Sequence, residues 1–548
     1  MTVWDNARRA RDSRLQAGAR FAQGKRVARE DATALLEAVI QPGDRVCLEG
    51  DNQKQADLLA VALAAVDSGK IHDLHMVQSG VVLPEHLDVF EKGIAKRLDY
   101  AYSGPQSQRI ARLLFGGQIE LGAVHTYLEL FARYYVDLTP HVALIAAVSA
   151  DREGNLYTGP NTEDTPAIVE ATAFKDGIVI AQVNEVVDKL PRVDIPGDWV
   201  NFVIESDKPF YVEPLFTRDP AAITETQILT AMLAIKGIYA PYGVQRLNHG
   251  IGFNTAAIEL LLPTYAERLG LKGQIATHWA LNPHPTLIPA IESGWVKQIH
   301  SFGSEVGMDD YIRARSDVYF TGPDGSLRSN RAFSQVAGLY ACDMFIGATL
   351  QIDLQGNSST VTADRVAGFG GAPNMGSDAR GRRHPSKPWL QAGKEADPDS
   401  PAALRRGRKL VVQIGETFGE KNAPLFVEHL DALKLAEKLD LDLAPVMVYG
   451  DDVTHIVTEE GIANLLLCRD KDEREHAIRG VAGYTEVGRG RDRKLVQRLR
   501  ERGVIQRPED LGIDPLDADR NLLAARSIKD LVRWSGGLYA PPSKFRNW

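Results

Sequence analysis

Short apolar runs, polar loops and helix-length amphipathic stretches alternate along this chain. Residues 44–49 read as a short strand, followed by a polar loop and a helical stretch over residues 55–66. Residues 72–77, residues 142–149 and the β-branched run 178–183, with Gly177 ahead of it, are further strand candidates. Strands alternating with helices predict an α/β fold whose sheets are largely parallel. Further on, residues 245–248 lead into His249-Gly250-Ile251-Gly252-Phe253-Asn254 and a helical stretch over residues 256–269. Residues 345–354 read as a strand that runs into Asp353-Leu354-Gln355-Gly356-Asn357.

The second set of elements echoes the first. Gly50 and Gly252, Asn52 and Asn254, Asp151 and Asp353, and Gly154 and Gly356 are each 202 residues apart. A constant offset across two strand-loop-helix units and two Asp-x-x-Gly-Asn turns predicts a duplicated domain. Pro220, after Arg218-Asp219, marks a break between the copies. The expected organisation is a helical arm over 1–40, a first α/β domain over 41–219 and a second over 220–548. The arm carries Arg8, Arg9, Arg11, Arg14 and Arg20, which suits either a solvated helix face or docking onto a partner subunit. Residues 368–407 form a second irregular region, rich in Gly, Pro and Arg.

Composition narrows the function. The chain has 548 residues, 44% hydrophobic and 25% charged, which is ordinary for a soluble globular protein with more than one core. A formal charge of -9 argues against nucleic acid as the main partner. Cys47, Cys342 and Cys468 are too few and too far apart for a disulfide framework or a zinc site. No apolar run is long enough to span a bilayer, and residues 1–16 lack the apolar segment of a secretory signal. A cytoplasmic protein that binds no membrane is expected.

Two Gly-rich turns are the strongest chemical signals. They are His249-Gly250-Ile251-Gly252 and Gly368-Phe369-Gly370-Gly371. Glycine lets backbone N–H groups approach a ligand closely, and N–H groups at a helix N-terminus stabilise an anion or oxyanion. Gly250, Gly252, Gly370 and Gly371 are therefore the candidate catalytic donors; a tight βα turn is the alternative reading of each loop. The sequence has no Gly-x-Ser-x-Gly elbow, P-loop or HExxH motif, so neither a hydrolase triad nor a metal is implied.

Residues 452–463 (DVTHIVTEEGIA) resemble a segment of the acetyl-CoA hydrolases and acetate CoA-transferases, as do Asn248–Gly252, 352–357 and 368–371 together. From the N-terminal arm to Gly536-Gly537-Leu538-Tyr539-Ala540-Pro541-Pro542, the chain resembles the alpha subunit of bacterial malonate decarboxylase. That resemblance implies two tandem CoA-transferase-type α/β domains with the active site between them. It implies an acyltransferase that converts acetyl-S-carrier protein and malonate into malonyl-S-carrier protein and acetate, inside a complex with decarboxylase subunits. No cofactor would be bound directly; the enzyme would act on the CoA-like phosphoribosyl-dephospho-CoA group of its acyl carrier protein. His249, His278, Asn254, Asn357 and Asn374 become candidate malonate contacts. Arg380, Arg382 and Arg383, in an acid-free stretch, become candidate carrier-protein contacts, since guanidinium suits phosphate and acidic surfaces. The alternatives are a citrate lyase alpha-type transferase, an acetate CoA-transferase using free CoA, or a carrier-docking scaffold without activity.

The chain departs from the wider family at one place. Relatives carry a glutamate nucleophile after the second-domain Gly loop, but here no Asp or Glu lies between Glu267 and Glu292. Malonate, itself a carboxylate, would attack the thioester directly.

Overall fold

The computed structural model describes residues 3–546 except 51–53, 161, 324, 328–334, 337, 339, 340 and 378–408. In the first half the strands are β1 (Ala22–Gln23), β2 (Arg26–Val27), β3 (Arg45–Leu48), β4 (Leu74–Val81) and β5 (Ala95–Ser103). They continue with β6 (Glu120–Val124), β7 (Val142–Ala150), β8 (Leu156–Tyr157), β9 (Ile178–Val186) and β10 (Phe202–Glu205). They form one sheet in the order β1-β2-β10-β9-β7-β3-β4-β5-β6, with β8 hairpinned onto β7. All neighbours from β2 to β6 run parallel. Its central strands are buried on both faces, which is why they read as continuous apolar runs.

The second half opens with β11 (Arg246–His249), β12 (His278–Leu281), β13 (Gln298–Ser301) and β14 (Met344–Gly347). Two small hairpins follow, β15 (Gln351–Ile352) with β16 (Ser358–Ser359) and β17 (Val361–Thr362) with β18 (Arg365–Val366). The half closes with β19 (Leu410–Ile414), β20 (His455–Thr458), β21 (Gly461–Asn464) and β22 (Ile505–Gln506). The sheet order is β13-β12-β11-β14-β19-β20-β21-β22.

The two sheets are the same sheet twice. The first-half order β10-β9-β7-β3-β4-β5 matches β20-β19-β14-β11-β12-β13, and every one of these pairings is parallel. The Asp-Asn turns match atom for atom. Asn155 Nδ2 donates to Asp151 at 2.8 Å and Asn357 Nδ2 donates to Asp353 at 2.9 Å. Gly154 and Gly356 both sit at φ 84°, a left-handed conformation that glycine adopts without strain. Each Asn oxygen then accepts a distant backbone N–H, Gly197 at 2.7 Å and Gly450 at 2.8 Å. Of the pairs that carry the offset, only Asn52 lies outside the described residues.

Three expectations need correction. Residues 345–354 are not one strand: the chain leaves the sheet after Gly347, and the Thr349 hydroxyl donates to Ser359 O at 2.9 Å, which turns it into the next hairpin. The arm over 1–40 is not separate. Its helix Val3–Gly18 ties Arg14 to Asp44 at 2.7 Å, and β2 joins the first sheet through β10. Nor does the second half stand alone after residue 220. Val361, Val366, Leu430, Ala432, Leu435 and Val446 belong to the buried core of the first half. Among the described residues, no helix is long and apolar enough to cross a membrane.

Candidate functional site

In open parallel sheets, ligands bind beyond the carboxyl ends of the strands. Here the carboxyl end of β5 is stitched to the segment of the second half that follows β18. Ser103, at the end of β5, donates its N–H to Ala367 O at 2.6 Å, and Phe369 and Gly370 donate theirs to Ala101 O at 2.9 and 2.8 Å. Gly370 O accepts from Tyr127 N at 3.2 Å. A cavity of about 570 Å³ opens along this seam, lined from the first half by Val124, Thr126, Leu128 and Glu129. From the second half it is lined by Phe369, Asn374 and Val448, among others.

The seam redefines the role of the second Gly-rich turn. Gly370 has φ 54°, and a Cβ there would stand 2.9 Å from the Tyr127 ring. Its N–H is engaged with Ala101, so it locks the halves together and is not available to an oxyanion. Gly371 has an ordinary φ of −85°, and a Cβ on it would meet the end of the Gln335 side chain. Asn374, in the short helix Ala372–Met375, lines the cavity and is buried with no partner for its amide nitrogen.

The first Gly-rich turn divides similarly. Gly250 donates its N–H to Ile346 O at 2.7 Å, and a Cβ on it would lie 3.0 Å from the Gly347 Cα. Gly250 therefore brings β11 and β14 together and does not serve as a donor. Gly252 caps the helix Phe253–Leu261 in extended backbone, and a Cβ on it would meet nothing nearer than 3.8 Å. The first-turn N–H groups of that helix have no partner within it, and residues 251–253 are half-buried. These groups, and not Gly250, are the donors that the turn presents.

The histidines and the other two asparagines are structural. His249 is buried, donates from Nδ1 to Glu259 at 2.9 Å and accepts at Nε2 from the Tyr239 hydroxyl at 2.7 Å. Burial pulls its pKa down, although Glu259 opposes this. His284 donates to the same Glu259 oxygen at 2.8 Å, and the Thr286 hydroxyl donates to the other. Burial pushes the Glu259 carboxyl up, but His284 and His249 outweigh it and hold it at about 2. Asn254 accepts from the Thr230 hydroxyl at 2.8 Å. Asn357 is consumed by its turn. His278 opens β12 and so stands at the amino end of the sheet, roughly 10 Å of strand from the Gly turn. There it lines a separate cavity with Arg246 and His300. Arg380, Arg382 and Arg383 lie outside the described residues.

Sequence reading missed four seam residues because each is brought in from a distant part of the chain. Glu305 is buried at the end of the second sheet, where it accepts from Phe216 N at 3.2 Å, from Thr217 N at 3.1 Å and from the Thr217 hydroxyl at 2.8 Å. Glu163, from the first half, packs its carboxylate against Gly303 beside Asn282. Arg218 lies 5.8 Å from the centre of the Phe253 ring, and Tyr102 is the last residue but one of β5. Arg218-Asp219-Pro220 was visible in the sequence only as a chain break.

Behind the cavity wall, Asp99 accepts from His125 Nε2 at 2.7 Å and from His75 Nε2 at 2.6 Å. Burial pushes Asp99 up, but these two bonds overcome it and hold the carboxyl well below the ordinary range. Burial pulls His125 down, but Asp99 and Glu129 overcome it and raise the ring. The depressed carboxyl contributes stability above its unfolded pKa of about 3.9, and this is lost as pH falls through the folded value. The raised imidazole contributes fully below its unfolded pKa of about 6.5, and this is lost as pH rises through the folded value. The stability difference between the protein and Asp99→Asn should be greatest between about pH 4 and pH 6.5. Thermal melts of both at pH 5.5 and pH 8.5 check this; an equal difference at the two pH values contradicts it.

The family profile described as "Malonate decarboxylase, alpha subunit, transporter" matches residues 3–548. A protein of Malonomonas rubra named acetyl-S-ACP:malonate ACP transferase is 64% identical over 550 residues, covering 100% of this chain and 99% of its own. A crystal structure of a Pseudomonas malonate decarboxylase hetero-tetramer in complex with malonate contains a chain 61% identical, with a TM-score of 0.94, covering 100% of this chain and 99% of that one. The putative citrate lyase alpha subunit of Streptococcus mutans, at 15% identity and a TM-score of 0.57 over 83% of this chain and 82% of that one, shares the fold. With a family match along almost its whole length and a relative 64% identical from end to end, the chain belongs to the malonate decarboxylase alpha-subunit family.

Proposed function

We propose that this chain is an acyltransferase that exchanges acetyl for malonyl on the thioester of an acyl carrier protein, within a malonate decarboxylase complex. The end-to-end identity to the Malonomonas transferase favours this over the citrate, free-CoA and scaffold alternatives. The seam cavity, apolar on most of its wall and carrying the unpartnered Asn374 amide, suits the amide-bearing arm of a CoA-like prosthetic group. The same reading gives Arg380, Arg382 and Arg383 the role of carrier-protein contacts.

The observation that carries the mechanism is the state of Glu305. Its carboxylate stands at the seam, but both oxygens are held by the N–H groups and hydroxyl of the 216–217 segment. A carboxylate held by three donors is a weakened nucleophile, which favours attack by the substrate's own carboxylate. One malonate oxygen adds to the acetyl carbonyl, and the oxyanion is stabilised by N–H groups at the start of the helix Phe253–Leu261. Collapse expels the carrier thiolate and leaves an acetic–malonic anhydride. The thiolate then adds to the malonyl carbonyl and expels acetate. Positioning both partners in one seam supplies much of the rate, up to roughly 7–11 kcal/mol for well-aligned groups.

The test mixes the full chain with radiolabelled acetyl-S-carrier protein, with and without malonate. With malonate, labelled acetate and malonyl-S-carrier protein should form. Without it, borohydride reduction and peptide mapping should find no label on Glu163, Glu305 or any other acid. A labelled glutamate would replace direct transfer by an acyl-enzyme route.

A further inference from the structure

We propose that Arg218 holds the distal carboxylate of malonate, the one that does not react, and thereby selects a dicarboxylate over acetate. This rests on the transferase reading above.

Four observations place Arg218 there. It belongs to the segment that links the two halves and is pinned from one side: Nη1 donates to Leu215 O at 2.7 Å and to Thr217 O at 3.0 Å. These bonds fix the guanidinium without neutralising it, and among the described residues no carboxylate forms an ion pair with it. Its Nε and Nη2 edge is left for another acceptor. The guanidinium lies 5.8 Å from the centre of the Phe253 ring, and Phe253 is the first residue of the helix whose N–H groups the mechanism uses.

The surroundings support an anion rather than a solvated cation. Arg218 is half-buried, and burial pulls its pKa below the ordinary arginine value against the opposing influence of Tyr102, Glu305 and Glu259. The two glutamates are occupied elsewhere, one by the 216–217 N–H groups and the other by two histidines. Burial pushes the Tyr102 hydroxyl up to about 12, so it remains a neutral donor at the same seam. A partly desolvated guanidinium without a bonded carboxylate is costly until an anion arrives, and its planar fork matches a carboxylate.

The size of the ligand also fits. Malonate's two carboxyl carbons are about 2.5 Å apart, bridged by one methylene. A cation for one carboxylate must therefore stand near the donors for the other, and Arg218 packs against the side chain of Phe253, the residue that opens that helix. Acetate has no second carboxylate and needs no such cation.

The experiment compares two reactions of the same full chain. One is malonyl transfer from acetyl-S-carrier protein to malonate. The other is isotope exchange of radiolabelled acetate into acetyl-S-carrier protein, which proceeds through the same anhydride chemistry without a distal carboxylate. For Arg218→Gln we expect the KM for malonate to rise about 100-fold or more, in line with about 3 kcal/mol for a charge-assisted bidentate contact. Acetate exchange should fall far less, so that the preference for malonate over acetate collapses. Arg218→Lys, which keeps the charge but loses the fork, should recover part of the malonate preference. Equal losses in both reactions, or an unchanged KM for malonate, overturn the assignment. If the wild-type chain makes no malonyl-S-carrier protein, it is the transferase reading that fails. A variant that misfolds loses both reactions and its cooperative melt; the lysine variant then decides.

Discussion

Glu259→Ala is expected to lower folding stability by about 3–5 kcal/mol, the cost of removing one member of a buried charged network. Glu259 is fully buried and accepts from His249, His284 and Thr286. Its removal leaves two imidazole N–H groups and a hydroxyl facing a cavity, each without an acceptor. The damage should also reach the seam. His284 stacks on Phe216 with ring centres 5.4 Å apart, and Phe216 leads directly into Thr217 and Arg218. Urea titration of the variant measures the loss of stability, and malonyl transfer at low temperature measures the loss of function in the surviving folded fraction. Glu259→Gln, which keeps the shape and one acceptor, should lose less. A change under about 1 kcal/mol for the alanine variant would falsify the view that this network holds the second sheet's carboxyl end in shape.

Gly370→Val should reduce kcat/KM by at least about 100-fold, because a shift near 1 Å between reacting groups already has that effect. Two independent causes act together. A β-branched residue at φ 54° is strained, by roughly 1–2 kcal/mol, and its Cβ would meet the Tyr127 ring at 2.9 Å. Either relaxation of the loop breaks the Gly370–Ala101 bond that joins the halves. The same substitution at Gly252 meets no protein atom nearer than 3.8 Å and an ordinary extended backbone, so it should leave the fold and the seam intact, and any loss of turnover there comes from crowding the substrate beside the helix N–H groups. Steady-state kinetics of both variants, with circular dichroism to establish that they fold, make the comparison. An unchanged kcat/KM for Gly370→Val would show that the seam does not align the reactants.

What could be read from the sequence follows from how local its cause is. The Asp-x-x-Gly-Asn turns were legible because an Asp, a left-handed Gly and an Asn close a loop within five residues. The parallel α/β class was legible because strands buried on both faces are apolar throughout. Glycine by itself could not reveal its job. The same residue type serves as an inter-half clasp at Gly370, a close strand contact at Gly250 and a helix cap at Gly252. His249 and His278 looked alike in sequence, yet one is walled in by Glu259 and Tyr239 and the other stands at the wrong end of its strand. Glu163 gave no signal and Arg218 marked only a chain break, since what matters about each is a neighbour far away in the chain.

The intrusion of Val361, Val366 and Leu430–Val446 into the first half's core has a consequence for biosynthesis. On a ribosome the first sheet is translated early, but the apolar surface that these residues cover stays bare until residue 446 has emerged. The nascent chain must therefore carry an exposed greasy face through most of its own synthesis, while a near-copy of the same sheet is being made behind it. Two similar sheets, one of them incomplete, invite mispairing between copies on neighbouring polysomes. Cutting the chain at the linker would strip the first half of part of its core.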